Sequence, residues 1–328
     1  MPDAPILVTG GTGFVGSHVV ERLLAEGARV RCLVRASSSL RYLPRDAVEL
    51  VEGDLAAGTG LREAVAGASS VVHVAGVTKA FSEAAFYAGN LRATENLLAA
   101  CADFPGRFVH ISSLAAIGPS PSLAPLDEDA APHPLTWYGR SKLAAEEAVL
   151  ASPLAARAVI LRPPVVYGPR DTDVFEVFRS VAKGTILLIG RGESWFSYLH
   201  VKDLADAVWR AVTADAAAGR TYFVANPEPV SWTAFARAAA TIMGRRLRPI
   251  RVPFSLAYAA GWCAEGAARL RGKPGIVSRQ KILEARCPYW TCDPARARRE
   301  LDFEAAHSLY AGVQETLAWY KDSKWLTW

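Results

Sequence analysis

Tyr138 and Lys142 stand four residues apart in the stretch Trp137-Tyr-Gly-Arg-Ser-Lys142, downstream of a glycine-rich turn. On a helix that spacing puts both side chains on one face, so the ammonium can approach the phenol and the ribose of a bound nicotinamide cofactor together. A nearby cation favours phenolate and lowers a tyrosine pKa from about 10 toward working pH. The chemistry this suits is redox at a carbon bearing oxygen, with the phenol moving the proton. The same pair also arises on amphipathic helices whose tyrosine packs and whose lysine is solvated, so the elements around it have to decide.

Thr9-Gly-Gly-Thr-Gly-Phe-Val-Gly16 follows a short apolar strand and opens a helical pattern, the context a dinucleotide turn requires. Gly10 permits the sharp turn, Gly13 lets the backbone approach a pyrophosphate, and Gly16 lets the helix pack closely. Thr12, Phe14 and Val15 complete the turn, whose helix end offers free amides to phosphates. At the end of the second strand the chain reads Leu33-Val-Arg-Ala-Ser-Ser-Ser39, with no carboxylate to accept from a ribose 2′-hydroxyl. Arg35 can pair with a 2′-phosphate, which favours NADP(H) over NAD(H). It could instead stack on the adenine and leave either cofactor usable. Asp54 and Leu55 are expected beside the adenine, and Ala75, Gly76 and Thr78 where the backbone passes the cofactor, with Pro163 and Val165 also in the cofactor set.

The first half alternates β-branched runs with helical patterns, the mark of βαβ units in a doubly wound parallel sheet, an α/β Rossmann architecture. Strands are expected at 6–9, 30–34, 48–52, 70–74, 108–112 and 158–162, and helices at 14–25, 84–101 and 136–150. A strand at 195–201 is expected to return to the main sheet, followed by a helix through Val212 and a strand at 222–225. The expected division is a dinucleotide-binding domain from 1–165 and 195–225, and a smaller discontinuous substrate domain from 166–194 and 226–328. The loop at 119–134, rich in proline and serine, leads directly into the Tyr138 helix as either a mobile element at the site's mouth or a plain surface connection.

Of the 328 residues, 37 are lysine or arginine and 32 aspartate or glutamate, and the excess is scattered, so no nucleic-acid footprint is expected. The 5 cysteines include no C-x-x-C pair, so neither a metal site nor a thiol redox centre is expected, and a reduced cytoplasmic protein is the simplest account. The apolar run within 252–271 is too short to span a bilayer. It reads as a helix packed in a lid or dimer contact, or as a peripheral membrane attachment.

With these residues in hand the chain resembles the extended short-chain dehydrogenase/reductase family, also called the NAD-dependent epimerase/dehydratase family, nearly end to end. The resemblance rests further on Asn90-Leu-Arg-Ala-Thr-Glu-Asn96, Ile111-Ser-Ser-Leu-Ala-Ala-Ile-Gly118, Leu161-Arg-Pro-Pro-Val-Val-Tyr-Gly-Pro-Arg170, Leu199-His-Val-Lys-Asp203, Leu301-Asp-Phe and Trp319-Tyr-Lys. It implies Ser113 as the catalytic hydroxyl, with Ser112 a lesser candidate, Tyr138 as proton donor or acceptor, and Lys142 on the cofactor ribose. Asn90 would order a water or its helix, or be a structural amide in a broken helix. The implied substrate set is Ser113, Val165, Arg170 and Trp195, and a homodimer is implied through the helices at 84–101 and 136–150.

One departure matters. Members acting on sugar nucleotides commonly carry asparagine where this chain has Val165, and an apolar side chain cannot make that hydrogen bond. The aromatics Trp137, Phe175, Phe178, Trp195 and Phe196 also fall near candidate site loops, although each could equally be core. The chain therefore looks nearest to hydroxysteroid dehydrogenases and dihydroflavonol reductases, and a ketoreductase acting on a small hydrophobic substrate is expected. The alternatives are a sugar-nucleotide epimerase or dehydratase that recycles its cofactor, and a cofactor-sensing protein without catalysis.

Overall fold

The computed structural model describes residues 4–190, 193–275 and 277–328. The apolar runs of the first half become β1 (Ile6–Thr9), β2 (Val30–Val34), β3 (Val48–Glu52), β4 (Ser70–His73), β5 (Arg107–Ile111) and β6 (Ala158–Arg162), each within a residue of its expected span. Shorter strands follow: β7 (Val165–Tyr167), β8 (Thr185–Ile189), β9 (Trp195–Phe196), β10 (Tyr198–His200), β11 (Arg220–Phe223), β12 (Val230–Ser231), β13 (Arg248–Val252) and β14 (Tyr289–Trp290). The helices are α1 (Phe14–Ala25), α2 (Leu61–Val65), α3 (Glu83–Tyr87), α4 (Ala93–Ala100), α5 (Trp137–Leu150), α6 (Val174–Ala182), α7 (Val201–Thr213), α8 (Trp232–Ile242), α9 (Phe254–Leu270), α10 (Arg279–Glu284), α11 (Ala295–Leu301) and α12 (Leu309–Asp322).

Seven strands pair in parallel in the order β11-β6-β5-β4-β1-β2-β3. Its central strands are buried on both faces, which is why they read as continuous apolar runs rather than alternating ones. Val19 and Leu23 of α1 and Leu204 and Val208 of α7 cover one face. Leu61, Leu97 and Val149, from α2, α4 and α5, cover the other. Strand order reverses between β1 and β4, and such a switch point opens a crevice at the carboxyl ends of the strands.

Three expectations change in three dimensions. The segment 195–201 does not enter the main sheet: β9 pairs with β12 and β14, and β10 with β7. Between them the buried Ser197 donates its amide to the Trp290 carbonyl and accepts from the Cys292 amide, binding this run to the C-terminal half. The helix expected at 84–101 is interrupted by one π turn at Ala88–Arg92, which rotates Asn90 into the interior. The loop 119–134 is stitched to 289–293, with Ser120 bonded to Thr291 and Leu126 donating to the Thr291 carbonyl.

A second apolar cluster gathers Tyr167, Phe178, Phe196, Phe235 and Tyr320. Phe178 and Phe235 stack at 5.7 Å, and Tyr167 meets Phe235 edge-on at 5.4 Å. Phe175 packs against this cluster, so of the aromatics singled out above, Phe175, Phe178 and Phe196 serve packing.

Candidate active site

The glycine turn is built for close approach. Gly10 has φ 73°, and a Cβ there would lie 2.7 Å from the Ala75 amide nitrogen, so the turn after β1 rests directly on the chain leaving β4. A Cβ on Gly16 would lie 2.0 Å from the Gly10 carbonyl oxygen, so α1 closes onto the turn itself. Gly13 is exposed, caps α1 with no side-chain bond, and leaves the first-turn amides of Phe14, Val15 and Gly16 without an intrahelical acceptor. This cradle at the switch point fits a dinucleotide pyrophosphate.

The remaining predicted cofactor residues surround the crevice unevenly. Arg35 is exposed at the end of β2, with its amide bonded to Ser38 Oγ at 3.1 Å. The Asp54 carboxylate accepts from the Ala56 and Ala57 amides, and Leu55 packs against the core beneath α2. Thr12 is half-buried in the turn, and Gly76 and Thr78 are exposed on the segment after β4. Pro163 is buried, its carbonyl accepting from the Leu114 amide at 2.9 Å, and Val165 pairs with Tyr198 in the small β7–β10 sheet.

Ser113 and Tyr138 meet. Ser113 ends the extended run after β5, accepts from the Ala115 amide at 3.1 Å, and lies near enough to the Tyr138 phenol to lower its pKa. Tyr138 sits in the first turn of α5, which Thr136 caps by accepting from the Gly139 amide at 3.1 Å. A Cβ on Gly139 would lie 2.3 Å from the Ala115 carbonyl oxygen, so this glycine lets α5 press against the Ser113 turn. Ser112, beside it, buries a hydroxyl with no partner among the described residues.

Burial raises the phenol of Tyr138 above its ordinary range; the nearby Ser113 hydroxyl and Lys281 charge lower it, and the Glu284 and Asp173 carboxylates add to the rise. Lys281, paired with Glu284 at 2.8 Å, lines the same cleft as Tyr138 and had no signal in the sequence. The Lys142 ammonium is 4% exposed and donates to the Ile111 carbonyl at 2.6 Å. Desolvation lowers its pKa to about 8, with Glu146, one turn further along α5, opposing the shift. A Cβ on Gly76 would lie 3.9 Å from its Nζ, so the backbone after β4 passes beside the ammonium. Asn90 accepts from the Val77 amide at 2.7 Å and donates to the Val77 carbonyl and to Ser141 Oγ, tying the chain after β4 to α5.

A cleft opens onto Tyr138, walled by Thr78, Phe81, Phe86 and Trp137 on one side and by Ala268, Val277 and Lys281 on the other. Gln280 accepts from the Trp137 amide at 3.0 Å and Glu284 from Thr136 Oγ1 at 3.4 Å, fastening α10 over the start of α5. Lys79 and Asp173 form an ion pair at the rim. None of the four expected substrate residues lines this cleft: Ser113 ends the run after β5, Arg170 donates to Ser17 at 3.0 Å and covers the Tyr42 ring at 4.9 Å, and Trp195 is held between β12 and β14. Val165 is half-buried beside the aromatic cluster and, like them, does not line this cleft. Ligand atoms of His200, His307 and Glu315 lie within 4.8 Å of one another, also away from the cleft, with both ring nitrogens of His307 bonded to Asp203 and Glu315.

A parallel sheet with a glycine cradle at its switch point, and a tyrosine facing a cleft with a serine near its phenol, defines the class of nucleotide-dependent oxidoreductases on a Rossmann fold. Residues 6–225 match the model of the NAD dependent epimerase/dehydratase family, and the chain belongs to that family. It is an NAD(P)-dependent oxidoreductase of the extended short-chain dehydrogenase/reductase type. The chain is similar to a ceramide reductase of Caulobacter vibrioides, 30% identical over 98% of this chain and 96% of that protein. A 3 beta-hydroxysteroid dehydrogenase/Delta 5-->4-isomerase of Mycobacterium tuberculosis is also 30% identical, over 96% of this chain and 90% of that protein. Among solved structures, gox2253 superposes with a TM-score of 0.82 at 25% identity, covering 99% of this chain and all of its own. UDP-glucose 4-epimerase of Thermotoga maritima shares the fold, with a TM-score of 0.80 at 21% identity over 98% of this chain and 99% of its own.

Proposed function

We propose that this chain is a ketoreductase that takes NADPH and reduces the ketone of a hydrophobic, lipid-like compound of the 3-oxoacyl kind to a secondary alcohol. The observation that carries the reading is Tyr138 lining a cleft with Phe81, Phe86, Trp137 and Val277 in its walls, with Ser113 near its phenol. The cofactor supplies hydride to the carbonyl carbon. The Ser113 hydroxyl donates to the carbonyl oxygen and aligns it, and Tyr138 gives its phenolic proton to the alkoxide as it forms. Lys142 has one of its three N–H donors on Ile111, leaving two for the ribose hydroxyls. Asn90 positions the chain after β4 against α5. Exposed Arg35 supports the phosphorylated cofactor, because nothing acidic at the strand end would repel a 2′-phosphate.

Names among the relatives fit this substrate class: besides the ceramide reductase, a 2-alkyl-3-oxoalkanoate reductase of Shewanella oneidensis is 30% identical over 95% of this chain and 85% of that protein. Sugar-nucleotide chemistry is disfavoured by the aromatic walls of the cleft. The test is NADPH and NADH oxidation by the purified protein against steroid, flavonoid and 3-oxoacyl ketones, with UDP- and GDP-sugars alongside. Stoichiometric NADPH loss with a 3-oxoacyl ketone is expected. Conversion of a nucleotide sugar without net oxidation would overturn the reading, and a clear NADH preference would sink the Arg35 assignment.

A further inference from the structure

Helix α9 has two unlike faces. Ala268 and Glu265 turn inward to the cleft, with Glu265 paired to Arg279 at 2.9 Å. The opposite face carries Leu256 (61% exposed), Trp262 (65%) and Leu270 (92%), with exposed Ala259, Ala260 and Cys263 between them. Large apolar side chains this open are uncommon along one helix face, and a contiguous patch marks an interaction surface. The strand feeding α9 continues the pattern. Ile250 pairs in register with Leu187, and both are exposed on the outer face of the β8–β13 ribbon while Ile186 and Leu188 are buried beneath.

The charges nearby select the partner. From 245 to 273 the chain holds Arg245, Arg246, Arg248, Arg251, Arg269, Arg271 and Lys273 against a single acid, Glu265, which is already paired. Arg245, Arg246, Arg248, Arg271 and Lys273 are exposed and form no ion pair among the described residues. An apolar helix face with a tryptophan, flanked by unneutralised cations, matches the interface of an anionic bilayer: the side chains enter the acyl boundary and the cations meet phosphates. A second protein copy would bring the same cations against themselves. No described helix is long and apolar enough to cross a membrane, so the contact is peripheral.

We infer that the outer face of α9, with the β8–β13 ribbon before it, docks on an anionic lipid bilayer. Because the inner face of the same helix lines the cleft, docking sets the cleft beside the lipid phase. In this respect the inference deepens the proposed function and rests on it for the identity of the substrate, whereas the docking itself requires no turnover.

The experiment is co-sedimentation of the full chain with phosphatidylcholine vesicles containing roughly one-third phosphatidylglycerol, and with pure phosphatidylcholine vesicles. Binding is expected on the anionic vesicles, weaker on the neutral ones, and weaker again in high salt. The exposed double variant Leu256→Gln/Trp262→Gln should keep the wild-type melting temperature and lose on the order of tenfold or more in vesicle affinity. Absence of binding to anionic vesicles, or a double variant that binds as well as wild type, would overturn the inference. So would a dimer in gel filtration that this double variant alone converts to monomer, because a second copy would then cover the face. If vesicles bind and no ketone is reduced, the docking stands and the reductase reading fails.

Discussion

The Lys142 ammonium donates to the Ile111 carbonyl at 2.6 Å, joining the middle of α5 to the end of β5 one residue before the Ser112-Ser113 pair. Burial holds this lysine near a pKa of about 8, so close to that pH the cofactor-free protein has much of it neutral. Ribose hydroxyls that accept from the ammonium would restore its charge. Cofactor binding near pH 8 is therefore expected to take up a fraction of a proton, read by calorimetry in buffers of different ionisation enthalpy. Lys142→Met should abolish that uptake and weaken cofactor binding.

Tyr138→Phe removes the proton donor and leaves the fold. Turnover should fall by about 10²–10⁴-fold with little change in melting temperature. Lys281 lowers the phenol from across the cleft, so Lys281→Met should move the acidic limb of alcohol oxidation, which needs phenolate, to higher pH. An unmoved limb would remove Lys281 from the site.

Gly139 separates α5 from the Ser113 turn by the width of a missing methyl. In Gly139→Ala the new Cβ, 2.3 Å from the Ala115 carbonyl, would force the two apart. Stability should fall by about 1–3 kcal/mol and turnover should fall more than substrate affinity, measured by thermal unfolding and steady-state kinetics.

Glu146 lies one turn beyond Lys142 and holds Arg162 through bonds of 2.7 and 3.1 Å, with 1% and 9% of the two side chains exposed. Glu146→Ala leaves the guanidinium buried without its partner. The expected cost is about 3–5 kcal/mol in denaturant unfolding.

Of the four buried histidines, His18, His73, His110 and His200, burial lowers the last three furthest. Desolvation pushes His73 down to about 3 and His200 to about 4, and holds His110 well below its usual range. The unfolded chain binds protons to all three below about 6.5 while the native chain does not, so their stability contribution is complete above that pH and falls as the pH drops toward 4. Each histidine contributes a slope approaching about 1.4 kcal/mol per pH unit in that window. His307 runs the opposite way: Asp203 raises its pKa, and its contribution is complete below about 6.5 and fades as pH rises through the raised value. Unfolding free energy measured from pH 4 to 8 should rise steeply at the acid end, and His110→Phe should flatten that slope.

How much of this was legible beforehand follows from the range of the interactions. The six strands, the glycine turn and the Tyr138–Lys142 stripe were readable because they depend on local rules: runs buried on both faces, a left-handed glycine, a helical period. The π turn at Asn90 was not readable, since the amide's partners, Val77 and Ser141, lie 13 and 51 residues away. Distance along the chain likewise hid Lys281, Gln280 and Glu284, which reach the Tyr138 helix from about 140 residues downstream. It also hid the capture of Arg170 by α1, and the place of Trp195 in a C-terminal sheet. Local rules alone set the strands of the sheet, the glycine cradle and the Tyr138–Lys142 stripe, because each is fixed within a few residues. Only the tertiary structure decided which cation faces the phenol, what lines the cleft and which face of α9 is left uncovered, because those depend on how distant segments pack.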